Sequence, residues 1–169
     1  MGLFDKLFGS KEKDTVEFTV DNTDIVAIAD GTMFDIAEVS DELFSQKLMG
    51  DGVAFKFDSD KVTLCSPANG TLTVLFPTGH AYGVTLHDGV ELLVHCGINT
   101  VEADGAGFNL LKKKQGDAVK AGDPIVEVDI KTLAQKYDMS TMLIITNPNN
   151  RSISFGEFGL YTKRQSIIK

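Results

Sequence analysis

The chain has 169 residues, of which 43% are hydrophobic and 24% charged, values that suit a single domain with a sizeable core. Its net charge of −8 argues against nucleic acid as the main partner, because binding a phosphate backbone requires a basic face. No run approaches the roughly 20 apolar residues that cross a bilayer, and the first residues show no secretory cleavage site. We therefore expect a cytoplasmic protein whose acidic surface suits basic protein partners.

Residues 1–15 are predicted to form a tail that is separate from a single domain over residues 16–169. Leu3, Phe4, Leu7 and Phe8 fall at helical spacing, and a charged stretch follows at 11–14. A segment this short is marginal as a helix in water. Two interpretations stay open: a weak anchor that folds on a membrane surface, and a frayed terminus.

From residue 16 onward the sequence favours short strands separated by Gly, Asp and Asn, with little helix between them. This pattern is typical of an all-β fold, an antiparallel β-sandwich or squashed barrel with a few short helices. The predicted strands are 53–57, 61–65, 70–76, 90–95, 123–128 and 141–146, with a C-terminal pair around Ile153 and Tyr161. A helix is predicted over 130–137 with Asp129 as its cap, and a shorter helical turn after Ser40 and Asp41.

The chain has three histidines, and two of them flank a predicted hairpin turn. His87 lies in that turn, His87-Asp88-Gly89, and is expected to be exposed. If His87-Asp88 is a two-residue loop, His80 lies opposite His95; if Asp88-Gly89 is the loop, His80 lies diagonal to His95. Any even-length loop keeps both histidines on one face of the sheet, whereas an odd-length loop or a bulge breaks this argument.

Alternation along the second strand of this hairpin separates two faces. Leu93 shares its face with His95, and Phe76 lies on the facing strand with the parity of His80, so the pair is expected on an apolar surface that suits docking. Val94 and Cys96 point the other way, toward the core. Cys96 and Cys65 are too few for a disulfide framework and are expected to be buried free thiols.

A pair of imidazoles suits phosphoryl transfer. One ring can attack a phosphoryl group while the other donates hydrogen bonds to its oxygens, and Thr78 is placed to fix the tautomer of one ring. The plain alternative is that either histidine is a satisfied, partly buried side chain. No resident metal is expected: zinc needs three or four protein ligands, so His80 and His95 would hold it only with a ligand from a partner.

Several motifs carry a family resemblance. The segment 89–101, GVELLVHCGINTV, resembles the phosphorylation-site signature of the glucose-family IIA proteins of the bacterial sugar phosphotransferase system. The segment 76–82, FPTGHAY, resembles the second-histidine motif of that family, at the family's spacing. Further similar segments are 50–54, 66–71, 105–108 and 115–123, so that the similarity runs from about residue 20 to about residue 147.

The resemblance implies a β-sandwich that carries a phosphoryl group. HPr would donate the group to Nε2 of His95, a sugar-specific IIB domain would accept it on a cysteine, and the sugar would be phosphorylated during import. His80, supported by Thr78, would stabilise the group. No cofactor is expected, and a monomer is expected because transient partners account for the apolar surface. The enteric relatives also regulate other proteins by docking, so transporters or enzymes are further expected partners. The residues that it implies for partner docking are Phe44, Asp41, Phe76, Leu93, Val94 and Asn99.

The sequence also departs from the family pattern. Cys96 replaces a usual Phe, Leu93 replaces an aromatic, and Asn99 replaces an Asp. The first two changes are expected to alter packing and docking, whereas Asn99 removes a negative charge near the site and is expected to change partner preference. The first seven residues resemble the free-standing enteric form, whose tail touches anionic membrane.

Three other functions fit the sequence less well. A biotinyl or lipoyl carrier is similar at 115–123, but no hairpin presents a single lysine, and Lys131 begins a predicted helix instead. A zinc peptidase of a related sandwich type would need a His-x-His pair, which the chain lacks. A purely regulatory binding protein would keep the fold without transfer activity; the presence of both histidines favours transfer.

Overall fold

The computed structural model describes residues 19–169, so the predicted tail 1–15 lies outside the described residues. Eleven strands fall within the described range: β1 Gly31–Asp35, β2 Gly52–Lys56, β3 Lys61–Cys65, β4 Gly70–Leu75, β5 Ala81–Leu86, β6 Glu91–Cys96, β7 Phe108–Leu110, β8 Ala118–Val119, β9 Pro124–Asp129, β10 Thr141–Asn147 and β11 Gly159–Tyr161. The α-helices there are Glu42–Ser45 and Ile130–Leu133, and the 3-10 helices Ile36–Glu38 and Thr100–Ala103. No helix in this range is long and apolar enough to cross a membrane.

The strands form two antiparallel sheets. The larger has the order β11-β1-β2-β10-β6-β5-β4-β8, and the smaller has the order β3-β9-β7. Buried side chains from both sheets, such as Val94, Leu64 and Val126, belong to one apolar cluster, which is the core of the sandwich. This confirms the predicted all-β antiparallel class. Strand β6 lies inside the large sheet, paired with β10 on one side and β5 on the other.

A second apolar cluster lies on the opposite face of the large sheet. Ala54 and Met142, which are partners across β2 and β10, belong to it, whereas their neighbours Val53 and Leu143 belong to the main core. Phe44 closes the second cluster from the helix Glu42–Ser45. This outer face is the one that carries His95, because the next residue, Cys96, lies in the main core.

The predicted strands agree with the structure within a residue or two, but two predictions at the C-terminal side are wrong. The helix predicted over 130–137 ends at Leu133, because the backbone tightens from the Ala134-to-Ile130 bond to i−3 bonds at the next two residues. The predicted partner strand at Ile153 does not form. Tyr161 lies in β11, which pairs with β1 instead. The predicted cap of the second helix by Asp129 is confirmed, as is the helical turn after Ser40 and Asp41, which Asp41 caps.

The loop between β5 and β6 contradicts the predicted two-residue turn. The Leu86 N–H donates to the Val90 carbonyl at 2.8 Å, which leaves a three-residue loop, His87-Asp88-Gly89. Gly89 has φ +89°, the left-handed conformation that such a loop needs at its last position. The odd loop length shifts the register by one, so that Ala81 pairs with His95. His87 is exposed in this loop, as expected.

Candidate functional site

His95 lies on the outer face of β6 and is half-buried. Its Nδ1 is 2.9 Å from the carbonyl oxygen of Gly97. Because a carbonyl oxygen can only accept, Nδ1 carries the hydrogen of this bond. Burial of the ring lowers the pKa of His95 below its usual value, and His80 lowers it further, against opposing effects of the Gly97 carbonyl and Asp41. A neutral ring with hydrogen on Nδ1 leaves the lone pair on Nε2, where a nucleophile needs it.

His80 reaches the same site from a turn rather than from a strand. It immediately precedes β5, and its carbonyl accepts a bond from the Cys96 N–H at 2.7 Å. Gly79, with φ +77°, turns the chain just before it, so that the alternation of β5 does not govern the direction of the His80 side chain. The residue is buried, and its burial lowers the pKa of the imidazole. Thr78 Oγ1 is 2.6 Å from its Nδ1.

The two imidazoles are neighbours, as predicted, although the register argument behind that prediction is wrong. Their ring centroids are 5.2 Å apart at 83°, an edge-to-face arrangement. Phe44 packs on the His95 ring at 5.0 Å, and Phe76 on the His80 ring at 5.1 Å. The four rings form a row, Phe44–His95–His80–Phe76, which we call the ring row. The outer pair of rings holds the inner pair without supplying any competing hydrogen-bonding group.

The residues expected to dock partners divide into two groups. Phe76 is 42% exposed, Leu93 is half-buried and Asn99 is exposed in a left-handed conformation. Val94 is fully buried in the main core, so its expected docking role is wrong; alternation along β6 turns it inward. Phe44 is 4% exposed and offers almost no surface, serving instead as a wall for His95.

Several exposed apolar side chains that sequence reasoning did not single out lie beside the ring row or on the segments that adjoin it in the chain. Leu43 lies beside Phe44 on the first helix and is 45% exposed. Leu110 contacts the Gly79 position, where an added Cβ would lie 3.4 Å from its Cδ2. Val74, on β4, stands equally close to the Gly83 position, opposite Leu93. Val101 follows in the 3-10 helix after β6 and is also exposed. Scattered in sequence, they gave no periodic signal.

The cysteines take no part in the site. Cys96 lies in the main core, and burial raises the pKa of its thiol to about 12. Cys65 is also buried and unpaired with another cysteine. Over residues 19–169, no three His, Cys, Asp or Glu side chains are grouped closely enough to hold a metal ion. The side chains that meet at the site with polar groups are the two imidazoles and the Thr78 hydroxyl.

The comparisons with known proteins identify the family. A family model described as the phosphoenolpyruvate-dependent sugar phosphotransferase system, EIIA 1, matches residues 23–151. The chain belongs to this EIIA family. The glucose-specific EIIA component of Haemophilus influenzae is 38% identical to this EIIA protein over 169 residues, which cover 99% of this chain and 97% of that one. As a family member, the protein is a phosphoryl-carrying transferase component of sugar transport.

Two further relatives support the assignment. The glucose-specific EIICBA component of Staphylococcus carnosus is 35% identical, and the match covers 93% of this EIIA protein and 23% of that longer chain. The structure of glucose permease IIA from Mycoplasma capricolum superposes with a TM-score of 0.80 at 34% identity. It covers 86% of this chain and 93% of that one, so the sandwich described above is the IIA fold.

Proposed function

We propose that His95 is the phosphoryl-carrying residue: Nε2 accepts the group from phospho-HPr and passes it to a cysteine of a sugar-specific IIB domain. The observation that carries this proposal is the hydrogen bond from His95 Nδ1 to the Gly97 carbonyl, at 2.9 Å. It holds the ring in the one neutral tautomer with a lone pair on Nε2. The lowered pKa of His95 keeps that tautomer populated near neutral pH.

The two transfers conserve atoms without a cofactor. In the first, the P–N bond to the HPr histidine breaks as a P–N bond to His95 Nε2 forms. In the second, this bond breaks as a P–S bond forms on the IIB cysteine thiolate, and the bonding pair returns to His95 Nε2. His80 stabilises the transferring group: the Thr78 hydroxyl donates to its Nδ1, so that Nε2 carries a hydrogen and donates to a phosphoryl oxygen. The 5.2 Å separation of the two ring centroids supports this role, because it brings the His80 ring within reach of a group on His95.

Both partners dock on the apolar surface around the ring row. Its exposed large side chains are Leu43, Val74, Phe76 and Leu110. Asp41 and Glu42 lie on the same helical segment and give one rim a negative charge. Such a surface, apolar in the middle and acidic at the rim, suits transient basic partners. The EIICBA name of the Staphylococcus relative supports a B domain as one of them.

Intact mass spectrometry tests the carrier role. The full chain is incubated with phosphoenolpyruvate, enzyme I and HPr, and one acid-labile, alkali-stable phosphate is expected. His95→Ala should gain none, and His80→Gln should be labelled but fail to pass the group to IIB. His87→Ala, which removes the exposed loop histidine, serves as the matched control and should behave as wild type. A wild-type protein that stays unlabelled with competent HPr would refute the carrier role.

The docking surface has its own test. Leu43→Ala removes an exposed apolar side chain beside the ring row, and Leu160→Ala removes one on β11, four strands away from β6. We expect Leu43→Ala to raise KM for phospho-HPr about 10-fold with little change in kcat, since a central interface side chain is worth about 1–2 kcal/mol. Leu160→Ala should leave KM unchanged. Equal effects of the two variants would contradict the placement of this surface.

A further inference from the structure

Asp138 ties together two segments that meet at His95. Its Oδ1 accepts the Ser140 N–H at 2.9 Å and the Ser140 hydroxyl at 2.8 Å, and its Oδ2 accepts the Ser40 hydroxyl at 3.1 Å. Partial burial raises the pKa of Asp138, but the bonds from Ser140 and Ser40 outweigh this and lower it below its usual value. The carboxylate is therefore ionised at neutral pH, and its three hydrogen bonds are charge-assisted.

One arm of this arrangement leads to the back of the His95 ring. The Ser140 carbonyl accepts the Gly97 N–H at 3.0 Å, and the Asp138 carbonyl accepts the Ile98 N–H at 2.8 Å. The backbone of 138–140 thus holds the peptide that follows β6. The carbonyl oxygen of Gly97 is the acceptor for His95 Nδ1, so its direction depends on that hold. The backbone at Gly97 packs closely against residue 139, because an added Cβ would lie only 3.1 Å from Met139 Sδ.

The other arm leads to the open side of the ring. Ser40 immediately precedes Asp41, whose Oδ1 caps the first helix through the Leu43 N–H at 2.8 Å. That helix carries Phe44, which packs on the His95 ring, and the Asp41 charge raises the pKa of His95 against the effect of burial. The Ser40–Asp138 bond joins positions 98 residues apart in sequence, and it fixes this segment relative to the segment behind the ring.

We propose that Asp138 is a positioning residue for phosphoryl transfer, which acts on His95 from both sides through Ser140 and Gly97 and through Ser40 and the Phe44 helix. This inference rests on the proposed function of His95 and adds to it a residue that touches neither the phosphoryl group nor the imidazole. Loss of the carboxylate removes the anchoring bonds of the 138–140 backbone that holds the Gly97 peptide, and of the Ser40 segment that leads to Phe44. A nucleophile displaced by a fraction of an ångström loses rate rather than affinity for its partner.

Four variants of the full chain test the inference. Asp138→Asn keeps the volume and removes the charge. Ser40→Ala removes one hydroxyl from an exposed position, so its folding is secure; Ser40→Thr restores the hydroxyl. Asp129→Asn is the matched control, because Asp129 also accepts a backbone N–H and a hydroxyl, from Thr132, on a helix outside the ring row.

Two readouts are taken on each variant. The first is the ¹⁵N shift of the His95 ring nitrogens, measured without any partner. The second is kcat and KM for acceptance from phospho-HPr. For Asp138→Asn we expect the Nδ1–H tautomer to lose its dominance and kcat to fall about 10-fold or more, with a rise in KM smaller than the 10-fold expected for Leu43→Ala. Ser40→Ala should lower kcat about 3-fold, a weaker effect because one hydrogen bond is lost. Ser40→Thr should restore the rate, and Asp129→Asn should match wild type.

The outcomes distinguish failure of the carrier role of His95 from failure of the positioning role of Asp138. If wild type accepts no phosphoryl group, the proposed function fails whatever the variants do. If wild type is active while Asp138→Asn keeps its His95 shifts and its kcat, the positioning role of Asp138 is wrong. A fall in kcat that Asp129→Asn shares would mean a general loss of folded protein and would equally overturn the inference.

Discussion

The hydrogen bond between Thr78 Oγ1 and His80 Nδ1, at 2.6 Å, allows a sharp test of how the second histidine works. Thr78→Val keeps the shape of the side chain and removes the hydroxyl. The lost bond is worth about 0.5–1.5 kcal/mol, and an unpaired nitrogen on the buried His80 ring costs about 1–3 kcal/mol. We therefore expect the free energy of unfolding to fall by about 2 kcal/mol, measured by urea denaturation.

The same substitution should change where the His80 ring carries its hydrogen. Without a donor at Nδ1, the hydrogen is free to move from Nε2 to Nδ1, and the donor that faces the phosphoryl group is lost in part of the population. Removal of one such donor completely costs about 100-fold in rate. A partial loss predicts a fall of about 10-fold in the rate of transfer to IIB. Stopped-flow transfer from the phosphorylated protein and the ¹⁵N shifts of His80 measure the two effects together.

Thr73→Val is the matched control, since the Thr73 hydroxyl bonds Thr85 Oγ1 at 3.0 Å on an exposed part of the same sheet. It should leave the His80 shifts and the transfer rate unchanged. If Thr78→Val retains hydrogen on His80 Nε2 and transfers within two-fold of wild type, the hydroxyl does not set the tautomer. The role that we assign to Thr78 would then be wrong.

Three further outcomes are expected. Gly97→Ala should lower the free energy of unfolding by about 3 kcal/mol, because φ is +82° and the new Cβ would lie 2.4 Å from Thr100 Cγ2. Gly116→Ala, at φ +97° with open space around it, should lower it by only about 1 kcal/mol. Equal losses in the two variants would contradict the steric clash with Thr100. The Cys96 thiol, whose pKa is raised to about 12, should resist Ellman's reagent until the protein unfolds; fast labelling of the native protein would refute its burial. The rate of phosphorylation should stay level as pH falls from 7.5 and decline only below 6.5, because the pKa of His95 is lowered from 6.5 and protonation removes the Nε2 lone pair; a midpoint above 6.5 would contradict this.

The β5–β6 hairpin shows which of its features local sequence rules can predict and which they cannot. The turn residues and the alternation of β6 were predicted, and the burial of Val94 and Cys96 confirms that alternation. The loop length was not, because His87-Asp88-Gly89 suits a two-residue or a three-residue loop equally well by composition. The three-residue loop pairs Tyr82 with Val94, and both side chains lie in the main core. The loop length is therefore set by packing across the two sheets, which local sequence does not reveal.

The candidate site shows even more clearly that local sequence patterns do not reveal contacts between distant segments. Spacing and residue type predicted correctly that His80 and His95 are neighbours. The structural reason is different from the one predicted: the turn at Gly79 takes His80 out of the strand. The burial of Phe44 and the links made by Asp138 join segments that are far apart in the chain. No periodic pattern encodes such contacts, so they had to come from the structure.

The second apolar cluster has a consequence for how this protein can diverge. It lies on the outer face of the large sheet, separated from the sandwich core by the sheet itself, and it supports the Phe44 helix. Substitutions there act on the outer face, while the sandwich core on the other side of the sheet keeps its packing. Because Ile36, Met142 and Ile144 in this cluster are fully buried, shortening one of them costs about 2–5 kcal/mol, so this face can diverge more readily through its exposed side chains than through the cluster beneath them.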